Sequence, residues 1–379
     1  MLIIGIIVLA VGVYSMLITL SNIITMHSMR MRKQNETPKV SVCIPARNEE
    51  ANIERCVRSF MEQDYPNLEI IVLDDNSDDS TPEILRRLSE EDSRLKVMKG
   101  KPLEKGWRGK VYGMKQMLEV ASGDYILFTD ADTMHKKCSV RYGIDLLLTN
   151  NAKMVSGYPE ELADRPISAA CVSIIVLNTM FYLPVFLQNK LQKTPFAMAI
   201  GQYMMMEKKS LLEVGGVEKI KNANDDDVNM ARLFCSTGHK QIFANMKYAL
   251  SCLMYPNFKE AMKGMERGFI SAIKFTPLMC ALMPFAFLLL LGFTLLPLLS
   301  VLGLIFLHLS LPSILFALGT LLLYTAYAVI TNYHGFKFPV PLMGMCMFGI
   351  CTILLVRGLW HQIFKKEIEW KGRKVTYES

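Results

Sequence analysis

Two stretches of this chain carry almost no charge, and they stand at its two ends. Leu2 to Thr25 is an uncharged run, and Pro277 to Trp360 is nearly so, broken by Ser310-Leu311-Pro312 and by a turn from Asn332 to Pro339. A helix needs about 20 apolar residues to cross a bilayer, so both stretches are expected to be membrane segments. No basic residue precedes the first run and no small-residue cleavage site follows it, so residues 1–27 read as an anchor rather than a cleaved signal. The basic Met29-Arg30-Met31-Arg32-Lys33-Gln34 then marks the cytoplasmic flank, which puts the N-terminus outside and the next domain inside. Within residues 276–360 three spans are expected, about 277–308, 313–332 and 339–360. This count conflicts with the basic tail, residues 361–379. Three further crossings would leave Lys365, Lys366, Lys371, Arg373 and Lys374 outside, whereas basic residues favour the inside.

The charged middle, residues 38–258, alternates strand and helix patterns. Val40, Val42 and Ile44 alternate in a strand ended by Pro45, and Asn48 is placed to cap a helix carrying Ile53, Cys56, Val57 and Phe60 on one face. Glu69 to Leu73 repeats the strand, Asp74 to Asp79 is a polar turn, and Thr81-Pro82-Glu83 opens the next helix. A strand at Leu95 to Met98, a helix at about Val111 to Ala121 and a strand at Tyr125 to Phe128 follow. Such alternation implies an α/β domain with a Rossmann-like, mostly parallel sheet, whose ligands bind beyond the carboxyl ends of the strands. Ala46 to Glu49, Asp74-Asp75 and Asp130-Ala131-Asp132 all fall at those ends. Residues two apart in a strand share a face, so Asp130 and Asp132 are expected to face one crevice as a clamp for Mn²⁺ or Mg²⁺ and a diphosphate.

The uncharged stretch from Ile167 to Leu187 is long enough to cross but is not expected to do so. A crossing would part Asp130 and Asp132 from the acidic run Asp225-Asp226-Asp227. Residues 259–275 form an amphipathic pattern, with Met262, Met265, Phe269 and Ile273 at helical spacing and Lys259, Lys263, Arg267 and Lys274 elsewhere, suited to the headgroup region. The net charge of +7 collects beside membrane segments, so anionic lipid rather than nucleic acid accounts for it. Nine cysteines at irregular spacing, with no Cys-x-x-Cys pair, read as reduced thiols. The six histidines show no metal-ligand spacing.

Ser41 to Glu50, Ile71 to Ser80 and Thr129-Asp130-Ala131-Asp132 together resemble the inverting family 2 glycosyltransferases of GT-A fold, over roughly residues 38–275. Gly106-Trp107-Arg108-Gly109-Lys110, Gly215-Gly216, Asp225 to Arg232 and Ile368 to Arg373 are similar to a membrane subgroup that includes diaponeurosporenoate-type carotenoid and hopanoid-associated enzymes. The resemblance implies a UDP-sugar donor and a divalent cation. It implies that Pro45, Ala46, Glu49 and Asp75 hold the uridine, with Asp74 the alternative to Asp75, and that Lys110 meets the diphosphate or ribose. Asp132 would hold the cation, and Asp130 the sugar, ribose or cation. Asp227 would be the base, with Asp226 the alternative and Asp225 a helix cap. Gly201-Gln202 would line the acceptor side, although a tight turn explains Gly201 equally well.

The expected activity is transfer of one sugar to a lipid, of carotenoid, terpenoid or glycerolipid type, at the cytoplasmic face of the cell membrane by a multi-pass enzyme. A polysaccharide synthase and an inactive nucleotide-binding membrane protein are the alternatives. Met265-Glu266-Arg267-Gly268-Phe269 lacks the Gln and Trp of the Gln-x-x-Arg-Trp pattern carried by processive synthases, which disfavours polymer export. The sequence leaves oligomeric state, sugar and lipid open.

Overall fold

The computed structural model describes all residues except 30, 178–179, 182–183, 224, 273–276, 307–308, 364–367, 371–372 and 376–379. In chain order the elements are α1 (Leu2–His27), β1 (Val40–Ala46), α2 (Ile53–Met61), β2 (Leu68–Asp74), α3 (Thr81–Glu91), β3 (Leu95–Lys99), α4 (Gly109–Val120), β4 (Tyr125–Phe128), β5 (Thr133–His135) and α5 (Ser139–Thr149). They continue with β6 (Met154–Tyr158), β7 (Glu160–Glu161), α6 (Pro166–Val172), α7 (Val185–Leu191), β8 (Met204–Glu207), α8 (Lys208–Glu213), α9 (Asp226–Ser236), β9 (Gln241–Asn245) and β10 (Leu250–Cys252). The last are α10 (Phe258–Ala272), α11 (Pro277–Phe306), α12 (Leu311–Tyr333), α13 (Gly344–Ile363) and the hairpin strands β11 (Ile368–Trp370) and β12 (Arg373–Val375). They fall into two compact units: one holds Thr25–Glu161 with Val185–Leu253, the other Met1–Ile24, Leu162–Pro184 and Met254–Ser379.

The first unit is built on a seven-stranded sheet of order β3-β2-β1-β4-β8-β6-β9. β1, β2, β3 and β4 run parallel, while β8 pairs antiparallel with β4 and β6. Alternating side chains bury both faces. Val42, Ile44, Ile70, Val72 and Leu127 pack with Cys56, Phe60, Leu85 and Ile144 of α2, α3 and α5, whereas Cys43, Ile71, Leu73, Ile126 and Phe128 pack with Met114, Leu211 and Phe234 of α4, α8 and α9. A small second sheet, of order β5-β10-β7, lies in the same unit. At the opposite end from the ligand edge the buried Glu69 accepts from Lys96 Nζ (2.7 Å), Ser122 N (2.7 Å) and the Ser41 hydroxyl. Burial alone would raise its pKa, but the donors outweigh burial and hold it at about 2.

Two expectations need correction here. Asn48 does not cap α2: its backbone is left-handed (φ 52°), its carbonyl oxygen accepts from Asp78 N at 2.8 Å, and the helix begins beyond Asn52. The side-chain carbonyl is spent on the neighbouring turn, which a single-strand reading of the sequence could not supply. Asp130 and Asp132 do not share a strand face, because β4 stops at Phe128 and both residues lie in the turn before β5.

In the second unit, α1, Ala286–Phe306 of α11 and α12 are long and apolar enough to cross a membrane. α13 covers Gly344–Ile363 of the expected third C-terminal span, and Gly344–Gly358 is an apolar stretch in which Arg357 stands. α1 meets α12 so closely that a Cβ on Gly12 would lie 2.2 Å from Gly319 O, the kind of contact small residues permit between membrane helices. Ser300 of α11 donates to Thr320 of α12 at 2.8 Å, and Phe293 of α11 packs on Phe348 of α13 with ring centres 5.3 Å apart. Among the described residues the stretch from Ile167 gives the short apolar segment Pro166–Val176 in this unit, and α7 belongs to the other. Of the amphipathic pattern, α10 covers Phe258–Ala272, while Ile273 and Lys274 lie outside the described residues, as do Lys365, Lys366 and Lys371. The eight described cysteines are free thiols.

Glu69→Ala is expected to lower the unfolding free energy of the sheet unit by about 2 kcal/mol, since it strips the partners from buried donors at Ser41 and Ser122. Because the native pKa is depressed, this stabilisation is full above the ordinary Glu value near 4.5 and fades as pH falls toward 2. Thermal melting of wild type and variant at neutral and acid pH checks it: the gap between them should close in acid.

Candidate functional site

Lys110 stands in the first turn of α4, directly after Gly109. Its ammonium lies 2.8 Å from Asp130 Oδ1 and 3.4 Å from Asp226 Oδ2, and the side chain is about a third exposed. Burial works to lower its pKa, but the charges of Asp130 and Asp226 outweigh burial and raise it, so it is a firm cation. Asp227, next on α9, accepts from Gly201 N at 2.9 Å and from Val228 N at 2.7 Å. Burial first, and then the charge of Asp226, push its carboxyl up to about 7, while Lys110 and the two backbone donors oppose the rise. Asp225 takes the N-cap position of α9, with no side-chain cap hydrogen bond.

Gly201 is where these groups meet. A Cβ placed on it would lie 2.9 Å from Lys110 Nζ and 3.6 Å from both Asp130 Oδ2 and Asp227 Oδ2. Its φ is not left-handed, so space rather than turn geometry explains the glycine. Gln202 follows it, and its backbone carbonyl accepts from the Thr129 hydroxyl at 2.7 Å, which fixes this loop to the end of β4.

The turn carrying Asp130 and Asp132 is held from below by a buried polar chain. Thr129 Oγ1 and Thr133 Oγ1 lie 3.0 and 3.2 Å from His135 Nε2, His135 Nδ1 lies 2.8 Å from Ser139 Oγ, and Thr133 Oγ1 donates to Asp130 O at 2.7 Å. Burial pushes the His135 pKa down to about 3, so the imidazole is neutral and structural. The two aspartates look to different partners: Asp130 faces Lys110, whereas Asp132 Oδ1 lies 3.6 Å from the Cys252 sulfur.

The expected uridine residues occupy the ends of β1 and β2. Ala46 is the register partner of Asp74, and Asp75 N donates to Ala46 O at 2.8 Å. Pro45 and Ala46 close β1. The Asp74 carboxylate accepts from Ser77 N at 3.1 Å, and Asp79 accepts from Glu50 N and Thr81 N at 3.0 Å each, so these two acids serve the turn. Buried Glu49 accepts from Asn52 Nδ2 at 3.1 Å, and Arg47 donates to the carbonyls of Asp75 and Asn76. Lys110, Asp130, Asp226 and Asp227 therefore form one cluster, the Pro45, Ala46, Glu49 and Asp75 group lines neighbouring strand ends, and Asp132 turns aside.

Beside Asp132 lies a group not anticipated from the sequence. Glu161 is 6% exposed and Gln202 3% exposed, and both Glu161 oxygens and Gln202 Oε1 are buried acceptors. Burial, followed by the charge of Asp132, pushes the Glu161 carboxyl up to about 8, with the adjacent Gln202 offsetting part of the rise. Glu160-Glu161 in a two-residue strand gave no periodic signal; an acid in an apolar setting after Val155 to Tyr158 was the only clue.

Residues 41–215 match the model of glycosyl transferase family 2. Among curated proteins, a GalNAc(5)-diNAcBac-PP-undecaprenol beta-1,3-glucosyltransferase of Campylobacter jejuni is 36% identical over 95 residues, 25% of this chain and 30% of that one. A beta-monoglucosyldiacylglycerol synthase of Trichormus variabilis is 39% identical over 101 residues, 26% of this chain and 21% of that one. The chain thus spans less than a third of the length of these relatives. Among solved structures, a mannosyltransferase from Pyrobaculum calidifontis, in complex with GDP-Man and Mn²⁺, aligns over 96% of this chain and 99% of its own, with TM-score 0.53 and 18% identity, and shares its fold. The sheet unit has the GT-A fold, and residues 41–215 are a glycosyl transferase family 2 domain.

Proposed function

We propose that the chain is an inverting glycosyltransferase that moves a single sugar from a UDP-sugar to a lipid acceptor at the cytoplasmic face of the membrane. The observation that carries this reading is the convergence of Lys110, Asp130, Asp226 and Asp227 around the side-chain-free space at Gly201. Pro45, Ala46, Glu49 and Asp75 bind the uridine; a carboxylate accepts the uracil N–H or a ribose hydroxyl. Lys110 exchanges its bond to Asp130 for the donor diphosphate, helped by the positive N-terminus of α4. Asp132, with Asp130, would hold the divalent cation, Mn²⁺ or Mg²⁺, whose chemistry there is to neutralise charge on the departing diphosphate. Asp227 takes the acceptor hydroxyl proton as that oxygen bonds the sugar C1 and the C1–O bond to UDP breaks. Asp226 is the alternative base, and its charge tunes Asp227.

The names of the undecaprenol-linked and diacylglycerol relatives support a lipid acceptor. The carotenoid and hopanoid classes rest on the sequence motifs alone. The three helices long enough to span support a multi-pass membrane protein. Gly344 packs on Tyr324 and Tyr327 well inside α12, and at the other end of α13 Arg357 and His361 reach Glu266 of α10 at 2.8 and 3.1 Å. A tail on the cytoplasmic side is the arrangement that its basic residues favour.

Membranes incubated with labelled UDP-sugars and Mn²⁺ should yield label in the lipid extract; label in polymer alone defeats the lipid acceptor and favours a synthase. Asp132→Asn and Asp227→Asn should each lose nearly all transfer, with Asp227→Asn down ~10²- to 10⁴-fold. Wild-type turnover in the latter would sink the base assignment. Because the base must be ionised, kcat/KM should rise with pH through about 7. Asp226→Asn removes a repelling charge and should move that limb to lower pH, and Lys110→Met should move it to higher pH. A fluorescent-protein fusion after Ser379 is expected to glow and an alkaline-phosphatase fusion there to be inactive; the reverse would place the tail outside.

A further inference from the structure

The small sheet sets three side chains in one row. Cys252 is the register partner of Thr133 on one side and of Glu161 on the other, and Asp132 immediately precedes Thr133. The Cys252 sulfur lies 3.6 Å from Asp132 Oδ1 and accepts from Gln202 Nε2 at 3.1 Å. Asp132, Glu161 and Gln202 thus surround one thiol. Both Glu161 oxygens and Gln202 Oε1 are buried acceptors gathered in one place, with the Gln202 side chain easing the Glu161 charge. A buried carboxyl with no counter-charge is held in its neutral form, and a divalent cation beside it would meet the charged form. We propose that Glu161 is a further protein ligand of the divalent cation on Asp132, with the Gln202 side-chain oxygen beside it.

Carboxylate and amide oxygens suit Mn²⁺ and Mg²⁺. Among the described residues no group of three or more His, Cys, Asp or Glu is placed to hold a metal ion, so a site of two carboxylates and an amide would need the donor diphosphate to complete it. Cys252 comes from a strand far beyond those of Thr133 and Glu161 in sequence, so the small sheet sets the spacing of the ligands.

This inference rests on the reading that the cation sits at Asp132, and the test separates the two. Free Mn²⁺ is followed by electron paramagnetic resonance with the full chain in detergent, with and without UDP. Glu161→Gln is expected to weaken Mn²⁺ binding at least ~10-fold, as loss of a supporting group at a metal site does, while leaving metal-free UDP binding unchanged. Glu161→Asp, which keeps the charge on a shorter arm, should fall between, and Mn²⁺ should raise the melting temperature of wild type more than that of either variant. Wild-type Mn²⁺ affinity in Glu161→Gln together with its loss in Asp132→Asn would overturn the role of Glu161 and leave Asp132 in place. No Mn²⁺ binding by the wild type, with UDP present, would overturn both.

Discussion

One ammonium group holds the site together. Asp130 comes from the turn after β4, Asp226 and Asp227 from the start of α9, almost a hundred residues later, and Lys110 reaches Asp130 and Asp226 from the first turn of a third element. Without that cation three carboxylates would face one another across a partly buried gap, and mutual repulsion would drive α9 and the turn apart or force protons onto them. The backbone cooperates: Arg108 N, just before α4, donates to Lys221 O at 2.7 Å, tying the loop that presents Lys110 to the loop that leads into α9. The arrangement is also poised for exchange, because a diphosphate offers the same ammonium a stronger anion than Asp130 does.

Much of this was legible in the chain. Period-two runs at Val40 to Ile44, Glu69 to Leu73 and Tyr125 to Phe128 announced the parallel strands, and acids directly after two of them announced the ligand edge. What resisted reading were features decided by distant partners. The left-handed Asn48 depends on the turn at Asp78, thirty residues away. The divergence of Asp130 and Asp132 depends on the course of the turn between β4 and β5, which a strand read as ending at Phe128 does not give. Gly201 looked like a turn glycine because a sequence records the absence of a side chain but not the atoms that would occupy its space. Glu161 carried no motif, and its meaning arises only when β10 lies between β5 and β7.

The membrane segments show the same division between composition and packing. Length and apolarity identified α1, α11 and α12 directly, and the run without charge that ends near Trp360 announced α13. Arg357 was visible from the start. Its reason for being there, the carboxylate of Glu266 on α10, was not.

The position of β8 in the sheet has a consequence for how the chain is made. β8 sits between β4 and β6, antiparallel to both, yet it follows them in sequence and also follows the excursion of Leu162–Pro184 into the other unit. As the polypeptide emerges from the ribosome, β1 to β4 can assemble early, but β6 has no neighbour until residues 204–207 arrive. β9 can pair with it only later still. Met204, Met205 and Met206, three buried, unbranched side chains, therefore join β6 to the finished half β3-β2-β1-β4, and β9 completes the edge afterwards.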